Sequence, residues 1–389
     1  MNVHSPIVEA ATATHIEIVQ TGERLRQVEP AWTALWHELD GLAFQNHAWI
    51  DAWWSALPDK ASVSLRIGLV WRGDRLVAVL PFAISRRRGL RWLEWAALGF
   101  TDYGDILRAR DCPAPAILDA WRQVARLGGY DLAMLNRLLP HAEARILGTS
   151  IGTARPALQP NHRQEVSFRV TGEFTTGAAW LESQSKKTRQ NYRRGRKALE
   201  ETGPVTFRLL NPQEDVRPVL DRLGELKRKW LEANALESAL FDEKDATLPA
   251  LIDALRAAGV LRIFVLECAG AVIAISVNFV ERGTMMAFLT TYDREFERGS
   301  PGMLLMVDYV CWSIDHGLKL VDFLCGAEPF KLRFANQSVV LNTLAAARTP
   351  LGHLALLADT SRETLRKLRA DWQTRREKAK ADAPEPASE

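Results

Sequence analysis

FLTTYDREFERGSPGMLLMVDYVCWSIDHGLKLVDFLCGAEPFKLRF, from Phe288 to Phe334, divides into strand, charged loop, helix, strand and polar turn. Met285 to Tyr292 is apolar and rich in strand formers, and Asp293 to Gly299 is charged with no apolar period. Ser300-Pro301-Gly302 then opens a helix, with a hydroxyl to cap free amides, a proline at the first helical position and a glycine that lets a ligand approach the backbone. Leu304, Leu305, Val307, Tyr309, Val310, Trp312 and Ile314 make most of that helix apolar, and Gly317 ends it. The next strand, Lys319 to Cys325, carries one acid, Asp322, and Gly326 to Lys331 forms the polar turn. A helix starting at Ser300 behind a loop that holds Arg294 and Arg298 presents unpaired N–H groups and a positive dipole end, which defines a candidate anion site.

The whole chain limits what that site serves. Its 389 residues suggest two or three domains, and 47% hydrophobic with 25% charged residues is an ordinary globular composition. A net charge of +3 argues against bulk nucleic-acid binding, so any basic function is local. Cys112, Cys268, Cys311 and Cys325 show no paired or metal-ligating spacing; reduced thiols and no metal are expected. The longest apolar runs are far too short to span a membrane, and no secretory signal is visible, so a cytoplasmic location is expected.

Read in order, the chain predicts a strand at His15 to Val19, a helix at Val28 to Leu39 and a second helix holding Trp49, Trp53 and Trp54, whose helical spacing assigns them to a core. A hairpin follows (Leu65 to Val70, Leu76 to Ile84), then the polar turn containing Asp105, a helix at Ala114 to Leu127 and a strand at Tyr130 to Leu135. This order recurs. Leu65-Arg66-Ile67 matches Leu261-Arg262-Ile263 at a separation of 196, and Tyr130-Asp131-Leu132 matches Val321-Asp322-Phe323 at 191, which points to a duplicated α/β unit. Gly148 to Gln164, with Pro156 and Pro160, reads as a loose connection between 15–160 and 161–345. Helices are expected at Asp215 to Asn234, with Leu220, Leu223, Leu226 and Trp230 inward, and at Leu248 to Ala258. Ser338 to Leu344 reads as a strand; 346–389 reads as a helix from Ser361 and a disordered tail.

Lys186 to Lys197, KKTRQNYRRGRK, holds seven basic residues and no acid. The rest of the chain is balanced in charge, and Asn191 and Tyr192 interrupt the run with groups suited to specific contacts. Arginine forks bind phosphates bidentately, so Lys186, Arg189, Asn191, Arg193 and Arg194 fit a phosphorylated substrate or a cyclic dinucleotide.

Thr291-Tyr292-Asp293 through Ser300-Pro301-Gly302-Met303-Leu304-Leu305, then Gly317, Asp322-Phe323, Gly326, Glu328 and Phe330-Lys331, resembles the CelD/BcsL-type acetyltransferases of the GNAT superfamily. Ser185 to Arg194 and Phe44 to Trp53 match as well, and the likeness runs from about residue 30 to 335. These proteins are related to the FemAB-type aminoacyl transferases. The resemblance implies tandem GNAT-like halves, each a mixed, largely antiparallel sheet flanked by helices. It also implies transfer of an acyl group from acetyl-CoA to an amine or hydroxyl on a free, nucleotide-linked or lipid-linked sugar of an envelope or exopolysaccharide (for example cellulose) precursor, with peripheral association with membrane polysaccharide machinery. Arg298-Gly299-Ser300-Pro301-Gly302 departs from the usual GNAT pyrophosphate loop, Arg/Gln-x-x-Gly-x-Gly/Ala.

On this reading the diphosphate sits at Ser300 to Gly302, held by the amides of Gly299, Met303 and Leu304 with Arg294 or Arg298 alongside. Amides near Thr290 and Thr291 would stabilise the oxyanion. Asp322 and Glu328 are the expected bases, Asp105 an additional acid facing the cleft, Tyr292 the donor to the leaving thiolate, and Lys331 a substrate contact. Two other functions fit the same residues: a nucleotide-sensing effector that uses the basic run, and a tRNA-dependent aminoacyl transferase, which requires a larger basic surface.

Overall fold

The computed structural model describes residues 14–148, 156–234, 241, 245–326 and 328–361. The N-terminal tail, most of the helix expected from Ser361 and the acidic tail lie outside the described residues. The first half runs β1 (Thr14–Val19), α1 (Gly22–Gln27), α2 (Glu29–Glu38), α3 (His47–Ala56), β2 (Val63–Arg72), β3 (Arg75–Arg87), β4 (Leu90–Trp95), β5 (Leu107–Arg108), α4 (Ala114–Leu127) and β6 (Leu132–Leu138). The chain continues through β7 (Gln159–Thr171), α5 (Gly177–Ser183), α6 (Lys186–Glu200), β8 (Val205–Leu209), α7 (Arg217–Ala233), α8 (Thr247–Ala257), β9 (Leu261–Cys268), β10 (Ala271–Glu281) and β11 (Thr284–Tyr292). It ends with α9 (Pro301–Asp315), β12 (Leu320–Cys325), α10 (Pro329–Phe334), β13 (Gln337–Ala347) and a helix α11 over 350–361.

The strands form one sheet in the order β1-β2-β3-β4-β6-β13-β7-β12-β11-β10-β9-β8, with β5 beside β3. Read from either end, four antiparallel strands lead to one parallel pair, β4 with β6 or β11 with β12. The two halves exchange their closing strands. β13, last in sequence, pairs with β6, while β7, which follows the first half, pairs with β12, and the two meet antiparallel at the centre. The tandem α/β halves expected from the duplication are therefore welded into one sheet.

Bulges locate the equivalent residues. The β2/β3 register breaks after Val70, and the β9/β10 register breaks at Leu266, 196 residues on, as the hairpin motif predicts. The second motif does not hold. Register breaks after Leu135 in β6 and after Asp322 in β12, 187 apart, so Leu135 occupies the place of Asp322. Asp131 lies ahead of β6, where Arg91 and Thr349 donate to it. An acid among apolar residues was enough to align the letters, whereas the bulge sets the geometry.

Gln159 to Gln164 belongs to β7 and is not loose, because Pro160 near the strand's start needs no ladder amide there. The early tryptophans pack the core as their spacing demands, with Trp32 and Trp49 fully buried. They also build the joint between the halves. Phe44 meets Trp49, Tyr103 and Phe279 edge-on at 5.5, 6.2 and 5.6 Å, and Trp49 meets Phe288 at 5.7 Å. Buried Glu281 of β10 accepts the amide of Ala43 at 2.7 Å across the same joint. Trp230 departs from expectation: it is exposed at the end of α7, while Leu223 and Leu226 face inward.

Candidate functional site

A wedge in the second half organises the site. β11 and β12 pair only from Thr284–Leu320 to Met286–Asp322, after which β11 runs on to Tyr292 along β10 alone. Phe288 bulges out between Ala287 and Leu289, which turns the free edge of β11 away from β12. Ala287, Phe288, Leu289 and Thr290 are all only partly buried. The first half has the same splay, with β4 and β6 pairing only at Trp92–Leu132 and Leu93–Ala133. There the gap is filled. Trp95, opposite Phe82 as Ala287 is opposite Asn278, is buried and donates its indole N–H to the carbonyl of Asn136 at 2.9 Å. Gly104 lies so close to that indole that a Cβ would stand 2.0 Å from it. One wedge is plugged by a tryptophan; the other is lined by an alanine.

α9 begins beside the open wedge. Ser300 adopts a left-handed conformation (φ 51°, ψ 52°) and links the 3₁₀ turn Arg294–Gly299 to the helix. Its carbonyl accepts the amides of Met303 and Leu304 at 3.0 and 3.1 Å, so those two donors are engaged within the helix and are not the free amides expected. Among the described residues the amide of Gly302 finds no backbone acceptor. Ser300 is exposed and Gly302 and Met303 are half-buried, whereas Gly299 and Leu304 lie buried under α6. Tyr292 packs on Gly302, where a Cβ would stand 2.9 Å from its ring. Arg294 and Arg298 are on the exposed turn, 4.0 Å from Glu297 and 3.9 Å from Glu201.

The basic run is α6, capped by Ser185, whose hydroxyl accepts the amide of Thr188 at 3.1 Å. Gly195 lets it cross the start of α9, since a Cβ there would stand 2.6 Å from the carbonyl oxygen of Gly299. Tyr192 donates to Asp308 of α9 at 2.5 Å, and burial raises the Asp308 carboxyl. Arg189 and Arg193 pair with Glu182, and Arg194 donates to Asn191 at 3.2 Å. Among the described residues, Lys186, Lys187, Arg194 and Lys197 form no ion pair, so an exposed cationic face flanks the helix start.

The acids expected to act as bases separate into three environments. Asp322 is 1% exposed and accepts the Tyr103 hydroxyl at 2.7 Å, Nε of Arg169 at 2.9 Å and the amide of Leu324 at 2.9 Å. Burial pushes its carboxyl up, and Arg169 and Tyr103 oppose the shift. Its oxygens are occupied in a tie between the halves. Asp105 accepts the amides of Ile106, Glu143 and Ala144 and so caps the turn Glu143–Gly148 of the first half; burial lifts it to about 7. Glu328 is the most open, about half exposed, with its carboxylate folded over Gly326 and 3.0 Å from Lys331. Lys331 is buried and also donates to the carbonyl of Cys325 at 2.5 Å, which fixes Glu328 at the end of β12 where the wedge opens.

Sequence reading does not single out Asp102, Arg137 or Arg169. Asp102 pairs with Arg137 at 3.1 Å beside Cys325 and Lys331, and burial lifts it to about 6. The only signal for it is its place beside Asp105 in the polar turn. Arg137 gives none, because its role depends on a left-handed bulge (φ 60°) in β6.

The fold and wedge together define a tandem GNAT-like α/β protein. Residues 186–332, which hold α6, the open wedge and α9, match the family model described as Acetyltransferase (GNAT) domain. Solved structures with similar folds include FemX, with TM-score 0.58 and 10% identity over 88% of this chain and 100% of that one. A DUF2156 domain described as the C-terminal part of a lysylphosphatidylglycerol synthetase from Agrobacterium fabrum aligns with TM-score 0.54 and 13% identity over 87% and 96%. A conserved protein of unknown function from Bacteroides thetaiotaomicron aligns with TM-score 0.50 and 11% identity over 85% and 100%. At these identities the likeness is one of fold. No curated protein matches the chain. No described helix is long and apolar enough to cross a membrane.

Proposed function

We propose that the protein transfers an acyl group from a coenzyme A thioester to an amine or hydroxyl of a sugar-bearing envelope or exopolysaccharide precursor. The observation that carries this reading is the open wedge between β11 and β12, with α9 starting at the far end of β11. From Met286 to Tyr292 a strand rises roughly 20 Å, enough for an extended thioester arm to lie along its free edge. Unpaired amides of β11 beyond Met286 are placed to stabilise negative charge on the thioester oxygen. Ser300, the Gly302 amide, Arg294, Arg298 and the open face of α6 supply the anion seat at the other end.

Glu328 is the base that this arrangement favours. It is anchored, partly open to water and at the wedge mouth, whereas Asp322 and Asp105 have their oxygens engaged. It takes the proton from the acceptor as the acyl bond forms and the C–S bond breaks, and coenzyme A leaves as the thiolate, which is protonated by water. Tyr292 lies at the anion end, so its part is to shape that seat rather than to protonate the thiolate. Titration with acetyl-CoA tests the reading: at about 100 times its dissociation constant a ligand stabilises by roughly 2.7 kcal/mol, which melting reports. Absence of a shift with any acyl-CoA overturns it.

A further inference from the structure

α7 carries a lysine beside its buried stripe. Leu223 and Leu226 are buried, and Lys227 follows, half-buried, four residues after Leu223. Its Nζ stands 5.7 Å from the ring centroid of Trp230 and 5.8 Å from that of Phe241. Among the described residues it makes no hydrogen bond and no ion pair, so an ammonium with three donors is held between two aromatic faces without an acceptor. Cation–π attraction offsets only part of the lost hydration. Burial accordingly lowers its pKa, and Glu328 is the acid whose charge opposes that shift. Glu328 is itself committed to Lys331 at 3.0 Å. Trp230, whose ring borders the ammonium, is itself exposed to solvent.

We propose that Lys227 anchors an anionic group, a phosphate or carboxylate, carried by the acceptor. Calling the ligand the acceptor rests on the acyl-transfer reading; the anion site itself does not. With Glu328 taking the proton from the nucleophile and Lys227 holding the anion, the acceptor class becomes a molecule that carries an anionic group as well as the amine or hydroxyl that is acylated. The exposed face of Trp230, which borders Lys227, suits an apolar ring face on the same ligand.

The test uses the full chain and inorganic phosphate as the probe, in the presence of saturating coenzyme A so that any diphosphate seat at α9 is already filled. Calorimetric titration is expected to show saturable phosphate binding in the wild type, about tenfold or more weaker in Lys227→Met. Lys227→Arg, which keeps the charge, should retain it, as should the α6 variant Lys186→Met/Arg194→Met. Coenzyme A binding should be equal in the wild type and both Lys227 variants, and weaker in the α6 variant, which is therefore titrated at a coenzyme A concentration raised to saturate it. The proposal is overturned if the wild type binds no phosphate, if Lys227→Met binds it normally, or if only the α6 variant loses it. Should coenzyme A itself fail to bind, the acyl-transfer reading falls, and the same titration without it still decides the role of Lys227.

Discussion

Removing the Asp322 carboxylate separates a structural tie from a catalytic base. Asp322 is 1% exposed on its side chain and Arg169 is 15%, and the guanidinium also lies 5.9 Å over the ring of Tyr103. Asp322→Ala leaves that guanidinium without its counter-charge and the Leu324 amide without its acceptor. Deleting one member of a buried pair costs about 3–5 kcal/mol, a large share of the 5–15 kcal/mol that typically holds a domain together. Urea unfolding followed by tryptophan fluorescence should show that loss. The double variant Asp322→Leu/Arg169→Met should recover most of it, because neither charge is then buried alone. If Asp322→Ala stayed within about 1 kcal/mol of wild type while acyl transfer fell about 100-fold, the carboxylate would be acting in the chemistry and the reasoning would be wrong.

Glu328→Gln should lower turnover by about 10²–10⁴-fold with melting temperature and acyl-CoA affinity little changed, as steady-state kinetics beside calorimetry would show. Gly195→Ala forces a methyl against the Gly299 carbonyl, 2.6 Å away; we expect about 1–3 kcal/mol of destabilisation and weaker acyl-CoA binding, read by melting and titration. Glu281, lifted to about 7 by burial against an ordinary 4.5, holds its proton in the folded chain where the unfolded chain has lost it. Its contribution is therefore fully present below about pH 4.5 and is lost as pH rises towards 7. Glu281→Gln keeps an acceptor for Ala43 and should exceed wild type by up to about 3 kcal/mol at pH 8 but match it near pH 4.5 in denaturant titrations. Trp95→Ala should cost about 3–5 kcal/mol in denaturant titrations while leaving acyl-CoA binding intact, since it empties the first wedge and not the second.

Much of the fold was legible because it rests on local periodicity. The hairpin at Leu65 to Ile84, α4, α7 and α9 all follow from apolar spacing and from glycine or proline at their ends. The repeat at 196 was legible because both hairpins carry the same bulge. What stayed hidden depends on partners far away in sequence. β7 is polar along much of its length and becomes a central strand only because β12 and β13 flank it. The site shows the same division. Ser300 and Gly302 stand out as a helix start behind a charged loop and Glu328 by its polar turn after a strand, but nothing local to Asp322 announces that Tyr103, 219 residues away, occupies it.

The two wedges explain why, among the described residues, a fold repeated twice leaves one wedge open and the other filled. Both halves splay their parallel pair, and that splay leaves backbone amides without strand partners. Such groups must be satisfied by protein, water or ligand. In the first half Trp95 covers the gap with apolar surface and donates its own N–H to β6, so that half gains a core and loses access. In the second half the equivalent alanine leaves the amides open, and the closing strand β7 and the Tyr103 loop come from or follow the first half. The filled copy thus acts as a rigid wall for the open one. Asp322, Arg169 and Tyr103 are the bolt between them, which is why an acid at the centre of the open half is better placed to hold the wedge in shape than to take part in its chemistry.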